Sequence, residues 1–158
     1  MSDDGAARAA AALAASGIPH TITRHGRVGS LEEAAAARGV EPRDIVKTLV
    51  VRRAEDDYLF VLVPGGREIS WPKLRALLGV NRMSMPEAAT AKDVTGYERG
   101  TITPFGATTA WPVVADATLP GRPLSIGAGA HGVAATLQAD DLVRVLGAQV
   151  ADVTEPAG

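Results

Sequence analysis

The chain has 158 residues, 46% hydrophobic and 22% charged, with a formal net charge of −2, which suits one globular domain (residues 1–158) with a real core. It holds no cysteine and only three histidines, His20, His25 and His131, none at i, i+4 spacing; disulfides, thiolate nucleophiles and zinc–sulfur sites are excluded, and no metal site or cofactor is expected. The slightly acidic balance gives no general attraction to nucleic acid, and DNA is not an expected partner, so any nucleic-acid contact needs a local patch.

The alanine-rich start carries Asp3, Asp4 and Arg8, unlike the basic n-region and apolar core of a signal peptide. No apolar run approaches membrane-spanning length, so a cytoplasmic protein away from membranes is expected. Strong helix formers over Ala6 to Ser16 end at Gly17, a natural helix terminator. Ile18 to His25 reads as a strand. Ser30-Leu31-Glu32-Glu33 is a capping box that opens a helix ending at Gly39. Ile45 to Arg53 and Tyr58 to Val63 are the clearest strands, joined through Ala54 to Asp57 as a hairpin. Pro64-Gly65-Gly66 ends the second of them. Ser70 caps a helix to Leu78, closed by Gly79. A short strand is placed at Asn81 to Met85 and a helix start at Pro86 to Lys92.

Asp93 to Gly106 has three glycines and a proline, too many for a regular element, yet it carries Val94, Tyr97, Ile102 and Phe105. That combination predicts a shaped loop forming one wall of a site. Trp111 to Ala115, Pro123 to Ile126 and Val133 to Leu137 follow as strands. Asp140 or Asp141 caps a helix ending at Gly147, and Gln149 to Val153 is the last strand. Strands outnumber helices and are joined mainly by turns. The expected class is α+β: a mixed, mainly antiparallel sheet curled towards a barrel, with flanking helices.

Of sixteen basic residues only Lys47, Lys73 and Lys92 are lysines, and Lys47 lies in an apolar strand. Alternation puts it on one face with Ile45, Leu49 and Val51, while Val46, Thr48 and Val50 take the other. Two readings stay open. The stem can pack while the ammonium reaches water, or the cation can point into a cleft and hold a phosphate, carboxylate or oxyanion. Gly127-x-Gly129-x-x-Gly132 has dinucleotide-fingerprint spacing but precedes a strand rather than a helix, so it reads as a turn or an anion-holding backbone nest. Ser125, His131 and Asp116 lack a nucleophile elbow and read as ordinary loop polar groups. Arg52, Arg53, Arg67 and Arg99 form either a basic patch or a solvated surface.

Asp44-Ile45-Val46-Lys47-Thr48-Leu49-Val50-Val51, Thr95-Gly96-Tyr97, Gly100-Thr101-Ile102-Thr103-Pro104-Phe105-Gly106 and Ser125-Ile126-Gly127-Ala128-Gly129-Ala130-His131-Gly132 together resemble the YbaK-like, prolyl-tRNA synthetase-associated editing domains. The order holds from about Ile18 to Val153. The resemblance implies a free-standing, trans-editing aminoacyl-tRNA deacylase that hydrolyses the ester of a mischarged tRNA, tRNA for proline carrying alanine or cysteine above all. It implies Lys47 as the cleft lysine that positions the terminal ribose or phosphate. Thr48, Gly100, Thr101 and Pro104 would bind substrate, the last three shaping the amino-acid pocket. Gly127, Gly129 and Gly132 would line the cleft with backbone donors. His25, near the end of the first strand, and His131 would also bind substrate. The partner implied is the 3′ acceptor end of the tRNA, delivered through a cognate synthetase or elongation factor.

Thr101 departs from the second glycine common in relatives, which points towards a narrower pocket. Ala134 and Ala135 stand where cysteine-specific relatives often place a carboxylate. An aminoacyl ester is already activated, so orientation and oxyanion stabilisation suffice without a protein nucleophile. The competing reading is a catalytically silent module of the same fold that binds a tRNA end or a nucleotide.

Overall fold

The computed structural model describes residues 2–158. Helix α1 (Ser2–Ser16) leads into strand β1 (His20–Arg24) through Gly17 at φ 75°. Helix α2 (Leu31–Arg38) starts as its capping box requires: the Ser30 side chain accepts the Glu33 N–H, and Gly39 closes it in the left-handed region at φ 70°. A short 3-10 turn at Pro42–Asp44 feeds β2 (Ile45–Ala54), which turns back as β3 (Asp57–Pro64). Then come β4 (Arg67–Ile69), α3 (Trp71–Leu78), α4 (Ala88–Thr95), β5 (Val113–Asp116), β6 (Pro123–Gly127), β7 (Val133–Gln138), α5 (Ala139–Leu146), β8 (Gln149–Ala151) and β9 (Thr154–Pro156).

Seven strands form one sheet in the order β1-β7-β6-β2-β3-β5-β8, and β4 pairs with β9 in a second, two-stranded sheet. The ladders β1–β7, β6–β7 and β2–β3 are antiparallel; β2–β6, β3–β5 and β5–β8 are parallel and shorter. The class is the expected α+β with a mixed sheet. The sheet stays open, with β1 and β8 at its two edges.

β3 is the centre. Tyr58, Phe60 and Leu62 enter one core with Ala9 and Leu13 of α1, Leu142 of α5, and Tyr97 and Phe105 of the long loop. Leu59, Val61 and Val63 enter the opposite core with Leu74 of α3, Ile69 and Val153. A strand buried on both faces is why its sequence runs apolar without alternation. A smaller cluster packs Ala34 and Ala35 of α2 on Ile45.

Four of the differences from expectation change the architecture. α4 begins at Ala88 and runs to Thr95, with Gly96 at φ 80° as its terminator, so the shaped loop starts at Gly96 rather than Asp93. Asn81 to Met85 supplies only a single bridge, Arg52 to Ser84. The N-cap of α5 is Gln138, not an aspartate; Asp140 instead accepts the Gly121 N–H at 3.0 Å. The last expected strand, Gln149 to Val153, is split: β8 joins the large sheet and β9 the small one.

Candidate active site

The main cleft has a volume of about 630 Å³, within the usual range for small-molecule sites. One wall is β2, which contributes every residue from Ile45 to Val50. Facing it are Met85, Pro86, Glu87, Ala88 and Ala91, from the approach to α4 and its first turn. The shaped loop supplies Arg99, Gly100 and Ile102, the end of β6 supplies Gly127, and α2 supplies its last residue, Arg38. Lys47 and Thr48, Gly100, and Gly127, from three separate stretches of the sequence, thus meet around one space.

The loop wall is held from behind by α1. Arg8 donates through Nη2 to Gly96 O at 2.6 Å and through Nε to Gly106 O at 3.3 Å, and its guanidinium lies 4.7 Å from the centre of the Tyr97 ring. Tyr97 Oη donates to Phe105 O at 2.6 Å. Burial raises the Tyr97 pKa, an effect that Arg8 opposes without cancelling, so the phenol keeps the proton this bond needs. Thr95 Oγ1 donates to Ala91 O and accepts the Tyr97 N–H. Thr-Gly-Tyr is therefore the hinge-pin of the loop, and Arg8, which no sequence motif marked, is its clamp.

Several expected site residues sit one layer away from the cleft. Thr101 is buried, 3% exposed, and its hydroxyl donates to Glu98 O at 2.7 Å; Gly100 and Ile102 face the cavity instead, so the Thr101 side chain does not narrow it. Pro104 lines a different cavity of about 460 Å³ with Trp111, Val113 and Leu146. The Gly129 N–H is spent on Thr101 O at 3.0 Å, so it is no free donor of a nest. Gly129 is glycine for another reason: its φ is 90°, and a Cβ there would stand 2.2 Å from Gly5 O. At Gly132 a Cβ would stand 2.4 Å from His25 O. His131 is exposed at the rim, its ring 3.4 Å from where a Gly100 Cβ would be, with Nε2 3.9 Å from Glu98.

Ser125, His131 and Asp116 are not a triad. Ser125 accepts from Arg38, His131 neighbours Glu98, and Asp116 accepts from Thr118 and Val153. Nor is there a patch of four arginines: Arg53 pairs with Asp57 and Arg67 bonds Thr154, while Arg99 joins the cleft.

Arg38 is the functional candidate that sequence reasoning missed. Its Nε approaches His25 Nε2 at 3.4 Å and its Nη1 donates to Ser125 Oγ at 3.4 Å. Burial pulls its pKa down, and no carboxylate pairs with it among the described residues. His25 thus lies behind Arg38 and does not line the cleft itself. Lys47 Nζ donates to Arg67 O at 3.3 Å from an exposed position at the cleft edge. Among the described residues, three cations, Arg38, Lys47 and Arg99, and one carboxylate, Glu87, line the cleft. This is the local positive patch that an acidic chain needs to hold a polyanion. No cluster of three metal-ligating side chains occurs among the described residues.

Residues 25–145 match the family model of the aminoacyl-tRNA editing domain. The chain is 38% identical over 79 residues to a proline–tRNA ligase of Thermosipho melanesiensis, covering 50% of this chain and 14% of that protein. It therefore spans about one-seventh of the length of the ligases it matches. A protein of Enterococcus faecalis provisionally named Cys-tRNA(Pro)/Cys-tRNA(Cys) deacylase EbsC is 26% identical over 126 residues, covering 79% of this chain and 77% of the relative. A crystal structure provisionally named as a trans-editing enzyme for prolyl tRNA synthetase superposes with a TM-score of 0.86 at 27% identity, covering 96% and 97% of the two chains. The chain belongs to the aminoacyl-tRNA editing domain family.

Proposed function

We propose that this domain is an aminoacyl-tRNA deacylase that clears a wrong amino acid from tRNA for proline, alanine or cysteine being the leading acyl groups. The observation that carries the reading is the convergence of Lys47, Arg38 and Arg99 with Gly100 and Gly127 on one cleft of an editing-family domain. The names of its relatives, a Cys-tRNA(Pro) deacylase and proline–tRNA ligases, support the choice of tRNA.

The chemistry suits the groups present. The aminoacyl ester is activated, and among the described residues no cysteine or serine lines the cleft. Catalysis then rests on orientation, on exclusion of bulk water and on stabilising the oxyanion, with water as the attacking group. Lys47 and Arg38 hold the terminal ribose and its phosphate as fixed positive charges. Met85, 46% exposed at the mouth, gives the acyl side chain an adaptable apolar lip. Such an enzyme works where tRNA is charged, in the cytoplasm, with a synthetase or elongation factor handing over the substrate.

The test is a deacylation panel: tRNA(Pro) charged with alanine, cysteine or serine, incubated with wild type and with Lys47→Ala. Wild type is expected to release at least one of the three amino acids. Lys47→Ala is expected to lower kcat/KM at least about tenfold, the loss of one well-placed ionic hydrogen bond. Absence of turnover on all three sinks the reading. A second reading, a binding module that holds the tRNA end without cleaving it, draws on Glu87 being the one carboxylate, and thus the one candidate general base, that lines the cleft among the described residues. Robust turnover by wild type excludes it.

A further inference from the structure

β2 is ten residues long, yet β6 accompanies it only at Ile45 and Val46. On its other side β3 pairs with it from Val46 to Arg52. Three hydrogen bonds fix the direction of each β2 backbone group beyond Val46. Phe60, opposite Val50, donates its N–H to Pro112 O at 2.8 Å, away from β2, so Val50 and Phe60 exchange no bonds across the ladder. Arg52 exchanges bonds with Ser84 at 2.8 and 3.2 Å, on the side away from β3. Period-two alternation then turns the N–H and C=O of Thr48 and Val50 to that same side.

Among the described residues no strand partner reaches these four groups. Thr48 Oγ1 is also buried without a hydrogen-bond partner. The side they face is the cleft. Its wall includes consecutive β2 residues from both faces of the strand, which happens only where a cavity lies against a strand's edge. Unmade backbone bonds on an edge inside a cleft form a template for an extended ligand.

We propose that Thr48 receives the aminoacyl group as a single residue of added antiparallel strand. An extended α-amino acid ester carries its ammonium and its carbonyl oxygen on one side, as a strand residue carries N–H and C=O. The ammonium donates to Thr48 C=O, and the ester carbonyl accepts from Thr48 N–H. This deepens the deacylase reading and rests on it. When the oxygen of water bonds to the carbonyl carbon, the C=O electron pair moves onto the oxygen that Thr48 N–H holds. The pair returns as the bond to the ribose oxygen breaks, and the proton lost by the water passes to that ribose oxygen. The products are the free amino acid and a tRNA with a free 3′ hydroxyl. Every α-amino acid carries these two groups, so the edge recognises the α-aminoacyl class and leaves side-chain choice to the walls.

Thr48→Pro deletes the N–H without taking a bond from the β2–β3 ladder, because that N–H has no partner there. A backbone-ester variant, with the α-hydroxy analogue of threonine at position 48, replaces the same N–H by oxygen and keeps the side chain. Deacylation of alanyl-tRNA(Pro) is measured for both, with circular dichroism and Tm beside it; should Thr48→Pro misfold, the ester variant carries the result. The expected outcome is a loss of kcat of about 100-fold or more, the cost of one oxyanion donor, at a fold matching wild type. Wild type should also prefer alanyl- over propionyl-tRNA(Pro), which lacks the amine, by about tenfold or more in kcat/KM. An ester variant with wild-type kcat, or equal rates on the two substrates, overturns the role of Thr48 and leaves the deacylase reading intact. A wild type inactive on every mischarged tRNA overturns both.

Discussion

Arg38 carries a charge in a place where charge is expensive. Half-buried, it meets the His25 ring and the Ser125 hydroxyl, and no carboxylate offsets it among the described residues. Removing a guanidinium from water without an opposite charge costs stability unless the function supplies an anion. The cleft position makes the substrate that anion. Arg38→Gln is therefore expected to leave Tm unchanged or raise it, while weakening binding of aminoacyl-tRNA about tenfold, one charged hydrogen bond's worth. It should also flatten the salt dependence of binding, since one phosphate contact fewer releases fewer counterions. A fall in Tm with unaltered affinity would make Arg38 a structural residue instead. Lys47 was legible in sequence because a lysine in an apolar strand is conspicuous. Arg38 was not: an arginine in the last turn of a helix is already accounted for by the helix dipole, and only the packing of α2 on Ile45 of β2, which brings Arg38 to Ser125, reveals where it points.

Among the elements, the legible ones carried their own local signals. The Ser30 box set α2, and the polar tetrad at Ala54 to Asp57 set the β2–β3 hairpin. β4 and β9, three residues each, are too short to show alternation, and they exist because they pair with each other. The free edge of β2 left no trace either, because alternation reports the faces of a strand and says nothing about its edges. The loop from Gly96 to Gly106 was readable as shaped, but its clamp came from α1, 88 residues away from Gly96 in sequence. That clamp is testable. Arg8→Leu keeps the apolar stem and removes two hydrogen bonds to Gly96 and Gly106 and the contact with the Tyr97 ring. The expected cost is about 2–3 kcal/mol, or roughly 5–10 °C in Tm for a chain of this size. Hydrogen exchange should quicken more at Thr101 and Ala107, whose amides bond within the loop, than at amides of the β2–β3 ladder, which lose no more protection than the fold as a whole. Uniform loss of protection across both regions would mean that Arg8 supports the whole fold rather than the loop.

At the scale of the molecule, the cleft exists because the large sheet parts: β2 runs on past β6 and bridges to Ser84 instead. Holding such an open sheet in shape falls to the packing on both faces of β3 and to a polar joint at its far side. Asp116, at the end of β5, is 0% exposed. Its Oδ1 accepts the Val153 N–H at 3.2 Å and its Oδ2 accepts both the N–H and the hydroxyl of Thr118. It thereby ties the large sheet to the turn between β8 and β9. Burial alone would raise its pKa, but the bonds from Thr118, Val153 and Thr154 outweigh burial and hold the carboxyl below the usual carboxylate range. A folded pKa below the unfolded one means that stability is present above the unfolded value, about 3.9, and drains away as pH falls through the folded value. Asp116→Asn cannot accept at both oxygens, so at pH 7 it should lose about 1.5–3 kcal/mol, the range for hydrogen bonds to a charged group. Urea unfolding of both proteins from pH 7 down to pH 3 measures this. The gap between them should stay constant to about pH 5 and shrink below pH 4, as wild type surrenders what the variant never had. A gap that widens on acidification would show the carboxyl to be protonated in the folded state, and the joint to work by some other bond.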